Sequence, residues 1–116
     1  MAKIATKESR IKKEYKKLKE LFQNLPENKM KLCEPLIQNA AYMKATLEDL
    51  QAKVNEEGAV IKNTNGNGFE VTQENPAQKS YVATLGKYNT VISQLSEMLP
   101  PMETKSKFSE FIAMNG

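Results

Sequence analysis

The sequence predicts a mainly α protein: an antiparallel hairpin of two long helices, a β-hairpin inserted between them, and a basic N-terminal helix in front. Three observations carry this expectation. Apolar residues recur at spacings of three and four in three separate segments, the mark of amphipathic helices. Two Asn-Gly pairs, Asn65-Gly66 and Asn67-Gly68, stand among β-favouring residues, where a two-stranded reversal is favoured. Proline, glycine and a capping asparagine fall where those segments end or begin.

The first helix is expected from about Lys7 to Asn24. Its stripe, Ile11, Tyr15, Leu18, Phe22 and Leu25, steps by four and three in turn. Leu25-Pro26 ends it, because a residue before proline is pushed out of the α region. The second stripe is Leu32, Leu36, Ala40, Met43, Leu47, Leu50 and Val54. Pro35 interrupts it, since proline lacks a backbone donor and crowds the preceding turn. The expectation is a short helical turn before Pro35 and a long helix from about Pro35 to Glu57, with Gly58 as a positive-φ cap.

Between Ala59 and Thr72 the two Asn-Gly pairs predict the hairpin. A two-residue turn at Asn65-Gly66, or a four-residue loop through Gly68, puts Val60, Lys62, Phe69 and Val71 on one face, covering the end of the helix pair. The third helix opens at Asn75, a good N-cap, with Pro76 pre-set for the first helical position. Its stripe of Tyr81, Leu85, Tyr88, Ile92, Leu95 and Leu99 again alternates steps of four and three, and Pro100-Pro101 stops it. A last amphipathic turn or two carries Phe108, Phe111 and Ile112.

At 116 residues the chain fits one domain. It divides into the basic helix (1–26), the helix, β-hairpin, helix core (27–99) and a tail with a short helix (100–116). A helix of ~23 residues is about 35 Å long, against a radius of gyration of about 13–14 Å for a compact globule of this size. Helices this long make an elongated hairpin whose apolar stripes outnumber their internal partners. Packing against copies of itself is the expected remedy. Leu47, Leu50, Val54, Val60, Phe69, Val71, Tyr81, Leu85, Tyr88, Ile92 and Leu95 are the residues expected to form the core and the oligomer contacts.

Composition excludes much chemistry. The chain has no histidine, which removes Ser-His-Asp and Cys-His catalysis and most zinc sites. Its one cysteine, Cys33, forms no internal disulfide and lacks the usual base; a buried small apolar role is expected. Gly66-Asn67-Gly68 starts like a phosphate loop, but Val71 stands where the third glycine belongs and no Gly-Lys-Ser/Thr follows. The pairs Glu48/Asp49 and Glu56/Glu57 are adjacent on a helix and project poorly onto one ion. No enzyme, metal or cofactor is expected. With no apolar stretch long enough to span a bilayer and no secretory h-region, the expected location is cytoplasmic.

The net charge of +3 hides an asymmetry. Residues 1–31 hold ten Lys/Arg against four Glu, a net of +6, whereas the remaining 85 residues carry −3. A basic end on a mildly acidic body points to a polyanion or to a partner's acidic face. The candidate DNA-binding residues, chosen on charge, are Lys3, Lys7, Arg10, Lys12, Lys13, Lys16, Lys17 and Lys19. Arg10, Lys13 and Lys17 flank one side of the apolar stripe, and Lys12, Lys16 and Lys19 the other. Pairs such as Glu8/Lys12 and Glu14/Lys17 offset part of this charge.

The stretch from Leu47 to Lys107 resembles the small terminase subunits of the phage P27 type. Leu47-Glu48-Asp49-Leu50-Gln51-Ala52-Lys53-Val54-Asn55-Glu56-Glu57-Gly58 is similar to that family's acidic helix end with its terminal glycine. The Asn65-Gly66 hairpin, Glu74-Asn75-Pro76-Ala77-Gln78-Lys79, and the long third helix with its proline stop, leading into Ser106 and Lys107, follow in the family's order. The resemblance covers about half of the chain. It implies a viral genome-packaging role: assembly into a homo-oligomeric ring, binding of double-stranded viral DNA, and recruitment and regulation of the terminase large subunit, which holds the ATPase and nuclease. It also implies the host cytoplasm as the place of action. The acidic-protein adaptor, a helical scaffold without DNA, is the alternative left open by the charge.

Overall fold

The computed structural model describes residues 6–100 and 103–115, and the order of elements follows the punctuation of the sequence: α1 (Lys7–Phe22), α2 (Glu27–Glu57), β1 (Val60–Thr64), β2 (Glu70–Glu74), α3 (Pro76–Met98) and α4 (Glu103–Asn115). The fold is mainly α, with one antiparallel two-stranded hairpin between the two longest helices. Helix α2 is the central element and packs against both α1 and α3, while α4 touches α1.

The starts of α1 and α3 each have a local cause. The Thr6 hydroxyl accepts the Ser9 amide at 3.1 Å, satisfying one of the donors that open α1. Asn75 caps α3, accepting the Ala77 amide at 2.9 Å, with Pro76 in the first turn. The same side chain donates to the Gly58 carbonyl at 2.9 Å and to Glu57 Oε1 at 3.1 Å. One buried asparagine thus ties the end of α2 to the start of α3 across the base of the hairpin. Gly58 has φ 93° and its amide donates to the Val54 carbonyl at 2.7 Å, as the capping role requires.

The structure corrects three expectations. First, α2 does not break at Pro35 but runs unbroken from Glu27 to Glu57 with Pro35 inside it. Pro35 and Lys31, whose carbonyl loses its partner, are both on the exposed side. Buried Cys33 and Ile37 hold the helix to its neighbours on either side of the proline. Second, the buried surface of α2 is wider than one stripe. Cys33, Ile37, Ala40, Ala41, Ala45 and Leu47 are buried, whereas Leu32 is 62% exposed. A helix with a neighbour on each side needs two apolar faces, and three alanines let both approach closely.

Third, the hairpin has the opposite parity. Val60 pairs with Glu74, Lys62 with Thr72 and Asn63 with Val71. Val60 and Lys62 therefore share a face with Glu70, Thr72 and Glu74, and Val71 lies on the other face with Ile61. The cause is a three-residue loop. The Gly68 amide donates to the Asn65 carbonyl at 3.0 Å, and the Asn65 amide to the Phe69 carbonyl at 2.8 Å. Gly68 sits at φ 82°, as in a type I turn closed by a left-handed residue. Asn65 Oδ1 fixes the loop from within, accepting the amides of Asn67 at 3.0 Å and Phe69 at 3.1 Å. Nor does the hairpin cover a helix end: Val60, Val71 and Phe69 (69%) are exposed.

The core lies between α1, α2 and α3. Leu18, Phe22, Cys33, Ile37, Ala40, Leu47, Tyr88, Leu95, Leu99 and Phe108 form it. Leu50, Val54, Tyr81, Leu85 and Ile92 are partly buried. Phe108 brings α4 in by an edge-on contact with Phe22, 5.6 Å between ring centres. The described residues form an elongated body, 61 × 36 × 22 Å with a radius of gyration of 18.0 Å.

Candidate nucleic-acid interface

Helix α1 carries most of the candidate residues, and its underside decides which of its cations are free. Leu18 and Phe22 are fully buried beneath it. The Tyr15 hydroxyl donates to Glu34 on α2, and Lys19 donates to that hydroxyl at 3.2 Å. Arg10 turns inward: its guanidinium meets Asp49 at 2.5 Å and Glu48 at 3.2 Å, and donates to the Ala45 carbonyl at 3.3 Å. The Asp49 hydrogen bond first, then the charges of Asp49 and Glu48, raise the Arg10 pKa further.

Arg10 bridges α1 and α2, its charge met by Glu48 and Asp49. Glu48 and Asp49, neighbours expected to diverge into solvent, converge on it, because the two ends of a guanidinium fork reach both carboxylates at once. The remaining cations differ in freedom. Lys7 lies 4.5 Å from the centre of the Tyr42 ring. Lys12 pairs with Glu8 at 3.6 Å and Lys19 with Glu34 at 3.8 Å. Lys13, Lys16 and Lys17 are exposed, with no ion pair among the described residues. Lys3 lies outside the described residues.

The sequence pairs Glu14 with Lys17 on a solvated face, yet Glu14 is only 9% exposed, and its Oε2 has no hydrogen-bond partner. Burial raises its pKa, against the opposing charges of Lys44 and Lys17. Its position carried a signal: it lies three residues after Ile11 and four before Leu18, on the apolar stripe itself. Tyr88, on the facing side of the core, has its pKa pushed up to about 12 by burial and then by the charges of Glu14 and Glu48.

Sequence reasoning also missed the contribution of α2. A groove of about 500 Å³ runs between the helices, lined by Ile11, Lys12 and Tyr15 from α1 and by Gln38, Asn39 and Tyr42 from α2. Tyr42 is 54% exposed. It lies beside Met43 in a stretch read only for its apolar period, so nothing in that period singled it out. The expected packing residues are split: Leu47, Tyr88 and Leu95 are buried in the core, while Val60, Phe69 and Val71 are exposed on the hairpin.

Among the described residues no group of three or more His, Cys, Asp or Glu side chains converges as a metal site. Among them, too, no helix is long and apolar enough to cross a membrane. Cys33 is buried, and burial raises its pKa. No family model, characterised protein or solved structure matches the chain.

Proposed function

We propose that this chain is a non-enzymatic DNA-packaging adaptor of the terminase small-subunit kind. It binds double-stranded viral DNA as a homo-oligomer in the host cytoplasm and recruits the large ATPase–nuclease subunit. The observation that carries the DNA-binding part is the outer face of α1, where Lys13, Lys16 and Lys17 stand exposed on a helix held by Arg10, Tyr15, Leu18 and Phe22. The packaging role is supported by the order of motifs from Leu47 to Lys107.

The physical case is electrostatic. The 16 residues of α1 span about 24 Å, about seven base pairs at ~3.4 Å per phosphate on each strand. Each lysine that neutralises a phosphate releases counterions, so affinity falls steeply with salt. A few such contacts per chain are weak; an oligomer presenting many copies adds them through effective concentration. Base-edge readout is not part of the proposal.

Duplex binding measured by anisotropy across a salt series tests it. Changing Lys12, Lys13, Lys16 and Lys17 together to Gln is expected to weaken binding and reduce the log–log salt slope by about 3.6, near 0.9 for each of the four lost phosphate contacts. An unaltered slope rejects α1 as the DNA face. A wild-type chain that ignores duplex but binds an acidic protein would establish the adaptor reading in its place.

A further inference from the structure

The groove between α1 and α2 has a chemistry that a line of phosphates alone does not call for. Its floor and walls combine an aliphatic residue (Ile11), two tyrosines (Tyr15 and Tyr42), two neutral amides (Gln38 and Asn39) and one cation (Lys12). Gln38, Asn39 and Tyr42 are all exposed. Tyr15 also borders a second groove of about 480 Å³, lined by Lys16, Lys19, Glu20 and Gln23, so the two hollows share one wall along α1. From Ile11 to Gln23 the helix rises about 18 Å.

We propose that this trough seats unstacked nucleobases, so that the chain holds single-stranded nucleic acid as well as duplex. An aromatic face offers a base a stacking partner whatever its identity, and lysines alongside follow the backbone. The two amides each bring donors and an acceptor suited to base edges. A base inside a duplex is already stacked on both faces, so Tyr42 gains nothing from intact double helix. Lys7, now 4.5 Å from the Tyr42 ring centre, is displaced by an incoming base and released towards its phosphate. Lys12 and Lys16 supply charge along the same edge. The inference rests on nucleic-acid contact by α1 but not on oligomer assembly or packaging.

The test compares a fluorescein-labelled 20-nucleotide single strand with the corresponding 20-base-pair duplex, by anisotropy at fixed low salt. Tyr42→Ala is expected to weaken single-strand binding by about tenfold, the loss of one stacked base, and to change duplex binding by less than about twofold. Tyr42→Phe is expected to keep single-strand affinity, since the ring and not the hydroxyl does the stacking. Asn39→Leu, at a second exposed position, is expected to weaken the single strand several-fold with the ring intact. Equal losses for both substrates, or no loss for the single strand, overturn the inference. Duplex binding without single-strand binding overturns it and leaves the packaging proposal standing. Tyr42-dependent single-strand binding without duplex binding does the reverse, and a chain that binds neither overturns both.

Discussion

Glu14 occupies a position where the helical period asks for an apolar residue. Its neighbours explain how it is tolerated: Lys17 on the same helix and Lys44 on α2 offset part of the burial penalty, while Glu48 opposes them. The folded carboxyl holds its proton more tightly than the ordinary value of 4.5, so protonation favours the fold. Its contribution to stability is therefore full below that value and is lost as the pH rises through the raised one. Glu14→Gln keeps the shape without the charge. Urea unfolding is expected to show it more stable than the parent at pH 8, by about 1 kcal/mol, the usual size of a single-substitution effect, because the parent buries a charge that glutamine lacks, and equal to it at pH 4. A variant less stable than the parent at pH 8 would mean that the attraction to Lys17 and Lys44 outweighs burial.

At the scale of elements, Pro35 shows what a local rule leaves out. A mid-helix proline costs about 3 kcal/mol relative to alanine in an isolated helix, so a break was the reasonable expectation. Tertiary packing overrides it: Cys33, Ile37, Ala40 and Ala41 bury the helix on both sides of the proline. Pro35→Ala is accordingly expected to stabilise the chain by about 1–3 kcal/mol in the same urea experiment, with no change in helix boundaries. A loss of stability would show that the proline shapes α2 for its neighbours. The ends of elements were legible because their causes are local, as with Asn75-Pro76 and Gly58. Hairpin parity was not, because it turns on whether two, three or four residues close the loop, and either Asn-Gly pair can begin one. The site was legible only as charge. Arg10 is spent on partners 35 to 39 residues away, Ala45, Glu48 and Asp49, and the Tyr42 groove needs two helices to exist.

The whole molecule is long, and its core is narrow. A radius of gyration of 18.0 Å exceeds the roughly 13–14 Å of a compact chain of this length, and large apolar side chains remain outside at several places. Val60 and Phe69 lie on a hairpin whose strands pack on each other, and Val82 is exposed on α3. A two-stranded hairpin alone is marginal in water, so an ordered one with exposed Phe69 and Val71 gains most from a surface to lie on. A second copy of the chain supplies one without any further component, and repeated contacts of that kind close into rings when the rotation permits. Light scattering at micromolar concentration is expected to report a multimer, and Phe69→Ser with Val71→Thr to shift it towards the single-chain mass while far-UV circular dichroism keeps its helical signal. A parent chain already monomeric under those conditions removes self-association altogether. A variant that keeps the parent's mass moves the contact to the helices, where exposed Leu32 and Val82 are the next residues to change.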